Sequence, residues 1–132
     1  MSNHTVVNLK DVENAAEKFG FAPDMEARFA ARDLGLQNSA ISYQALAPNF
    51  RQPFGHKHGE QEEIYVVLHG SGRIKIDDEA IELKALDAVR VPPEAERALE
   101  GGPDGMAFIA FGAPGGTSSP NDAEQLPGWW DG

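Results

Sequence analysis

The chain has 132 residues, with 21 acidic against 11 basic side chains and a formal net charge of −10. That balance argues against nucleic acid or an anionic membrane as partner, since both need clustered Lys and Arg. The length suits one domain able to bury a core without staples, and the absence of cysteine excludes disulfides and thiolate metal sites and fits a reducing compartment. Residues 1–10 hold no apolar stretch like that of a signal peptide, and no segment approaches a membrane span. The expectation is a soluble cytoplasmic protein.

In chain order, residues 8–20 predict one short helix within an N-terminal segment, residues 1–24. Asn8 caps it, Asp11 follows three positions on, Val12, Ala15, Ala16 and Phe19 share one face, and Gly20 ends it. Residues 25–111 read as strands broken by turns, beginning with residues 25–33 and 40–47. Pro48-Asn49 marks a turn, because Pro presets one central φ and Asn tolerates a left-handed one. Residues 63–68 form a strongly β run closed by Gly70-Ser71-Gly72. Residues 73–76 alternate, and Asp77-Asp78-Glu79 reads as a hairpin turn. Residues 80–83, 88–91 and 106–111 complete the set. Many short strands with frequent turns mean an all-β sandwich or barrel. Residues 112–132 are rich in Gly, Pro, Ser and acidic side chains, lack Lys and Arg, and read as an extended tail. Trp129 and Trp130 are its exception. Each such ring buries roughly 150–250 Å², so the pair is expected to pin the tail onto the barrel or a partner, with a lid as the alternative.

The chemistry concentrates at His56-Lys57-His58. Strand side chains alternate, so both imidazoles project from one face, and Glu63, where the next strand begins, swings back toward them. Two imidazoles and a carboxylate are the ligand set of the open facial triad that holds divalent iron and related metals, with positions left for substrate or water. Read blandly, the histidines are an ordinary polar pair on a strand, and a one-residue slip exchanges Glu63 with Glu62; Glu60 also lies nearby. His69 shares the parity of Glu63 but sits roughly 20 Å along the strand, which makes it a surface or turn residue, and His4 is near the terminus. Tyr65 faces the same side as Glu63, either as a hydrogen-bond donor to a ligand or as core. Ile64, Val66 and Leu68 point the other way. That second apolar face calls for a cover, supplied by another subunit or by the N-terminal segment.

His56-x-His58-x4-Glu63-x6-Gly70 resembles the first motif of the cupin superfamily, flanked by Pro53 before and by the strand up to Leu68 after. The second cupin motif, Gly-x5-Pro-x-Gly-x2-His-x3-Asn, keeps only its proline, at Pro92. Leu86, Glu94, Arg97 and Gly101 stand where Gly, Gly, His and Asn are expected. The likeness spans roughly residues 40–111. It implies a single jelly-roll β-barrel over residues 25–111, and His56, His58 and Glu63 as ligands to a divalent metal such as Fe, Mn, Zn or Ni. It also implies dioxygenase, isomerase or decarboxylase chemistry on a small polar molecule, and a homodimer. Arg97 replaces a histidine ligand, and a guanidinium has no lone pair for a metal. It points outward toward Glu94, Glu96 or Glu100, or it points inward. Inside, it clamps a carboxylate or phosphate in a bidentate fork, or pairs with Glu63 and replaces the metal's charge. Glu96 is a candidate substitute ligand, and Arg51, Gln44 and Phe54 are candidates for the mouth. Three readings stand: a metal-dependent enzyme, a metal-free binder of a small anion through Arg97 and the histidines, and a cupin scaffold without activity.

Overall fold

Alternation and turn chemistry carry most of the chain into antiparallel strands, and a computed structural model describes residues 3–116 and 122–131. The strands are β1 (Met25–Phe29), β2 (Ala40–Leu46), β3 (Phe54–His58), β4 (Glu62–Ile76), β5 (Glu79–Lys84), β6 (Ala88–Val91), β7 (Arg97–Ala113) and β8 (Ala123–Pro127). They curl into one 8-stranded sheet, with β1, β2, β7, β3 and β8 in lateral order and β4 pairing with β5, β6 and β7. The architecture is an all-β jelly roll with two short helices, α1 (Ala15–Lys18) and α2 (Ala31–Leu34). Among the described residues no helix is long and apolar enough to cross a membrane.

The N-terminal elements are shorter than their sequence pattern suggests. The helix expected over residues 8–20 is a 3₁₀ turn, Leu9–Asp11, followed separately by α1. Two asparagines explain the break. The Asn8 side chain accepts from Lys10 N at 2.9 Å, and the Asn14 side chain from Ala16 N at 3.1 Å, so each starts its own turn. Asn14 Oδ1 also accepts from Ala27 N at 2.9 Å, tying α1 to β1. The strand expected over residues 25–33 stops at Phe29. Residues 31–34 turn into α2, which Gly35 ends at φ 71°.

Gly70-Ser71-Gly72 bends a strand where the sequence pattern suggests an end. β4 and β7 pair from Glu62↔Ala113 to Ile76↔Arg97, with register shifts between Val67 and His69 and between Gly70 and Gly72. The first half of β4 lies beside β6 and the second half beside β5, so one long ribbon serves two parts of the barrel. Gly70 and Gly105 face each other across the bend at φ 75° and 79°, and a Cβ on Gly70 would collide with the Gly105 carbonyl oxygen. Only glycine meets both demands. Inside, Leu46, Tyr65, Val67, Ile74, Leu99, Met106 and Phe108 pack as the core, each large apolar side chain contributing roughly 1.5–3 kcal/mol of burial.

The region read as an extended tail supplies the last strand. β8 pairs with β3 from Phe54↔Pro127 to His58↔Ala123, whereas β7 meets β3 through a single pair, His56↔Arg97. The histidine strand thus depends on β8. Both tryptophans dock on the barrel. Trp129 Nε1 donates to Glu96 Oε1 and Trp130 Nε1 to the Gln52 carbonyl, each at 2.7 Å. The Trp129 ring covers Gly55, where a Cβ would come within 2.7 Å of it. On the outer face Ile64 and Phe111, cross-strand partners, remain 40% and 41% exposed.

Candidate metal centre

His56 and His58 project from one face of β3 with ring centroids 5.2 Å apart. Glu63 enters from the start of β4, and one donor atom of each residue lies within 4.8 Å of the others. Each histidine Nε2 stands 3.4 Å from Glu63 Oε1.

Asp122 determines what those atoms can do. Its Oδ1 accepts from Glu60 N at 2.8 Å and its Oδ2 from Gln61 N at 2.9 Å, which ties down the turn between β3 and β4. Oδ2 also stands 3.1 Å from His58 Nδ1. Burial pushes the Asp122 pKa up, but the two backbone N–H groups and His58 outweigh it, and the carboxyl is held below its ordinary range. An ionised carboxylate only accepts, so His58 Nδ1 carries a proton, and in the neutral imidazole the lone pair lies on Nε2. That Nε2 is buried without a hydrogen-bond partner, and it faces a carboxylate oxygen. With the imidazole neutral, the nitrogen and the carboxylate oxygen 3.4 Å apart leave a place for a cation.

The remaining groups favour an ionised Glu63 and a neutral His56. Burial raises the Glu63 pKa, yet the imidazoles of His56 and His58 and the Tyr65 hydroxyl around Oε1 outweigh it and hold the carboxyl well below the usual carboxylate range. Tyr65 O–H donates to Oε1 at 2.6 Å. Burial, followed by the Glu63 charge, pushes the Tyr65 pKa well up, so it remains a donor. Burial also pushes the His56 pKa down, against the pull of Glu63, and a neutral imidazole is the form that ligates.

Arg97 lies inside the barrel, fully buried. Its Nη2 donates to Glu63 Oε1 at 3.1 Å and its Nε to Tyr65 Oη at 3.3 Å. Nη1 donates to the Ala95 and Pro93 carbonyls at 2.6 and 3.2 Å. The guanidinium therefore backs the carboxylate, and most of its donors are engaged. The outward alternative is excluded. So is Glu96 as a ligand, because it accepts from Trp129. Glu62 is exposed and pairs with Arg90 at 3.1 Å, and Glu60, His69 and His4 are exposed as well.

A cavity of about 680 Å³ opens beside the three donors. Gln44, Phe54 and Tyr65 line it; Arg51 and Arg97 do not. Arg51 instead lies 4.8 Å from the Trp130 ring and binds Glu100 at 2.7 Å. Sequence reasoning missed Asp122, since nothing local marks one acid in a polar tail. It also missed Ser42 and Gln52. Ser42 was within reach, because it shares the strand parity of Gln44.

A sequence model described as a cupin domain matches residues 42–105. An uncharacterized protein of Methanocaldococcus jannaschii is 35% identical over 57 residues, which are 43% of this chain and 46% of that one. The chain thus matches just under half the length of that curated relative. A cupin protein from Bacteroides fragilis superposes with a TM-score of 0.71 at 27% identity, covering 89% of both chains. Oxalate decarboxylase from Bacillus subtilis gives 0.78 at 23% identity over 98% of this chain and 34% of its own. Salicylate 1,2-dioxygenase from Pseudoaminobacter salicylatoxidans gives 0.62 at 15% identity over 75% and 28%. The two enzymes share the fold with this chain.

Proposed function

The chain belongs to the cupin superfamily, and on that premise we propose that it holds one divalent transition metal on His56, His58 and Glu63 and acts on a small molecule in the adjoining cavity. The observation that carries this reading is the buried, unpartnered Nε2 of His58, aimed at Glu63 and held in its ligating tautomer by Asp122. Nitrogen and oxygen donors of this kind suit iron, manganese, nickel or zinc. The ion, when bound, supplies Lewis-acid or redox activation to a molecule in its open positions. The chain's own groups do the rest. Asp122 keeps the proton on His58 Nδ1. Tyr65 and Arg97 hold Glu63 ionised and aimed. The cavity walls orient the molecule. Metal-dependent chemistry of the dioxygenase or isomerase kind fits this arrangement.

Calorimetric titration with zinc and manganese tests it. The parent should bind one ion per chain, and His56→Ala and His58→Ala should each lose that binding, because a three-donor site has no spare ligand. Unchanged binding in both variants would move the metal elsewhere.

A second reading rests on the 3.1 Å contact between Arg97 and Glu63. In it the guanidinium already neutralises the carboxylate, and the barrel binds its ligand without a metal or is a scaffold without activity. Zinc binding too weak to saturate at micromolar concentration in the parent would favour it.

The exposed pair Ile64 and Phe111 supports a homodimer. Light scattering that gives a monomer mass at micromolar concentration would count against that. The acidic, cysteine-free composition supports a cytoplasmic setting.

A further inference from the structure

The cavity's walls say what kind of molecule it takes. Apolar surface dominates them, from Met25, Ala27, Phe29, Ile41, Phe54 and Ala110. Among the described residues no Lys or Arg lines the cavity, and its charged side chains besides the histidines are Glu63 and Asp122. Both carboxylates already have partners within the protein. Glu63 already takes Tyr65 and Arg97, and Asp122 takes His58 and two backbone N–H groups.

The remaining polar lining is uncharged, and Ser42, Gln44 and Gln52 within it form an ordered row. Leu99 N donates to Gln52 Oε1 at 2.9 Å. Gln52 Nε2 donates to Gln44 Oε1 at 3.1 Å, and Gln44 Nε2 donates to Ser42 Oγ at 3.0 Å. All three side chains are buried. Each amide oxygen in this row already accepts one bond, and the donors the row has left for a ligand are the second N–H of Gln44, the second N–H of Gln52 and the Ser42 hydroxyl. Such groups satisfy a carbonyl, ether or hydroxyl oxygen. They do not offset the desolvation of a full charge.

We propose that the ligand of this cavity is an uncharged molecule with an aromatic or aliphatic body and a neutral oxygen acceptor, and that it is neither a carboxylate nor a phosphate. This rests on the cavity being the ligand site. It replaces the sequence-based expectation of a small anion clamped by Arg97, whose guanidinium is spent behind Glu63 and does not reach the lining.

Three probes of one shape test it: 2-naphthamide, 2-naphthoate and 2-naphthylmethylamine, titrated by fluorescence into metal-free protein and again into zinc-loaded protein. The metal-free arm should show the amide binding at least tenfold more tightly than either charged analogue. Equal or tighter binding of the acid or the amine there, or no binding of the amide, would overturn the proposal. Failure of the chain to take up zinc would sink the metal reading and leave the metal-free arm intact. Gln125→Lys provides the second check, since Gln125 lines the cavity yet is solvent-exposed, so a lysine is tolerated. It should raise naphthoate affinity about tenfold. An unchanged value would mean that the probes bind elsewhere and would also overturn the proposal.

Discussion

A single hydrogen bond decides whether His58 is a ligand. With Asp122 on Nδ1 at 3.1 Å, the lone pair sits on Nε2, inside the site. Asp122→Asn retains the shape but can donate to Nδ1, which favours the other tautomer. Zinc affinity should fall roughly 10- to 100-fold, and nitrogen-15 NMR should show the His58 ring proton leaving Nδ1. Parent-like affinity and an unchanged ring would refute the positioning role. Arg97 carries the opposite risk. It is fully buried and holds the charge that balances Glu63, so Arg97→Leu leaves an uncompensated carboxylate. Urea denaturation of the metal-free variant should show a loss of about 3–5 kcal/mol. A loss below about 1 kcal/mol would mean that Glu63 finds other support.

At the scale of elements, the bend of the β4–β7 ribbon is the feature on which the barrel closes. Gly70→Ala places a side chain at φ 75° and against the Gly105 carbonyl. It should cost more than about 2 kcal/mol in the same denaturation assay, and a near-neutral result would show that the bend tolerates rearrangement. Such corners explain what was legible in the sequence. His56, His58, Glu63 and Gly70 sit on strands whose alternation and turns follow local rules, so the barrel and the donor cluster were readable. Residues 70–72 looked like a strand end because a bulge and an end use the same glycines. Residues 8–20 looked like one helix because the periodicity persists across Asn14, whose side chain is committed to Ala27, a long-range partner. β8 was invisible for a related reason. Its residues have little β pattern of their own and pair because β3 offers them an edge.

Across the whole molecule, a strongly acidic chain must place its carboxylates with care. Glu100 lies between Arg51 and Arg73. Burial pushes its pKa up, but the two guanidinium groups win and hold it below its ordinary value of 4.5. A depressed carboxylate stabilises the fold above the unfolded-state pKa, and that stability is lost as pH falls through the folded-state value. Glu100→Gln should therefore unfold more easily than the parent at pH 7, by on the order of 1 kcal/mol. The gap should close as pH drops below about 4.5, as followed by thermal melts across pH. A gap that is constant with pH would assign the loss to packing. The function of the molecule turns on whether His56, His58 and Glu63 hold a metal. Elemental mass spectrometry of tag-free protein, dialysed and then loaded with one divalent metal at a time, measures this directly. One ion per parent chain and essentially none per chain of His58→Ala are expected. A parent that retains no metal, or a variant that retains as much as the parent, would contradict that.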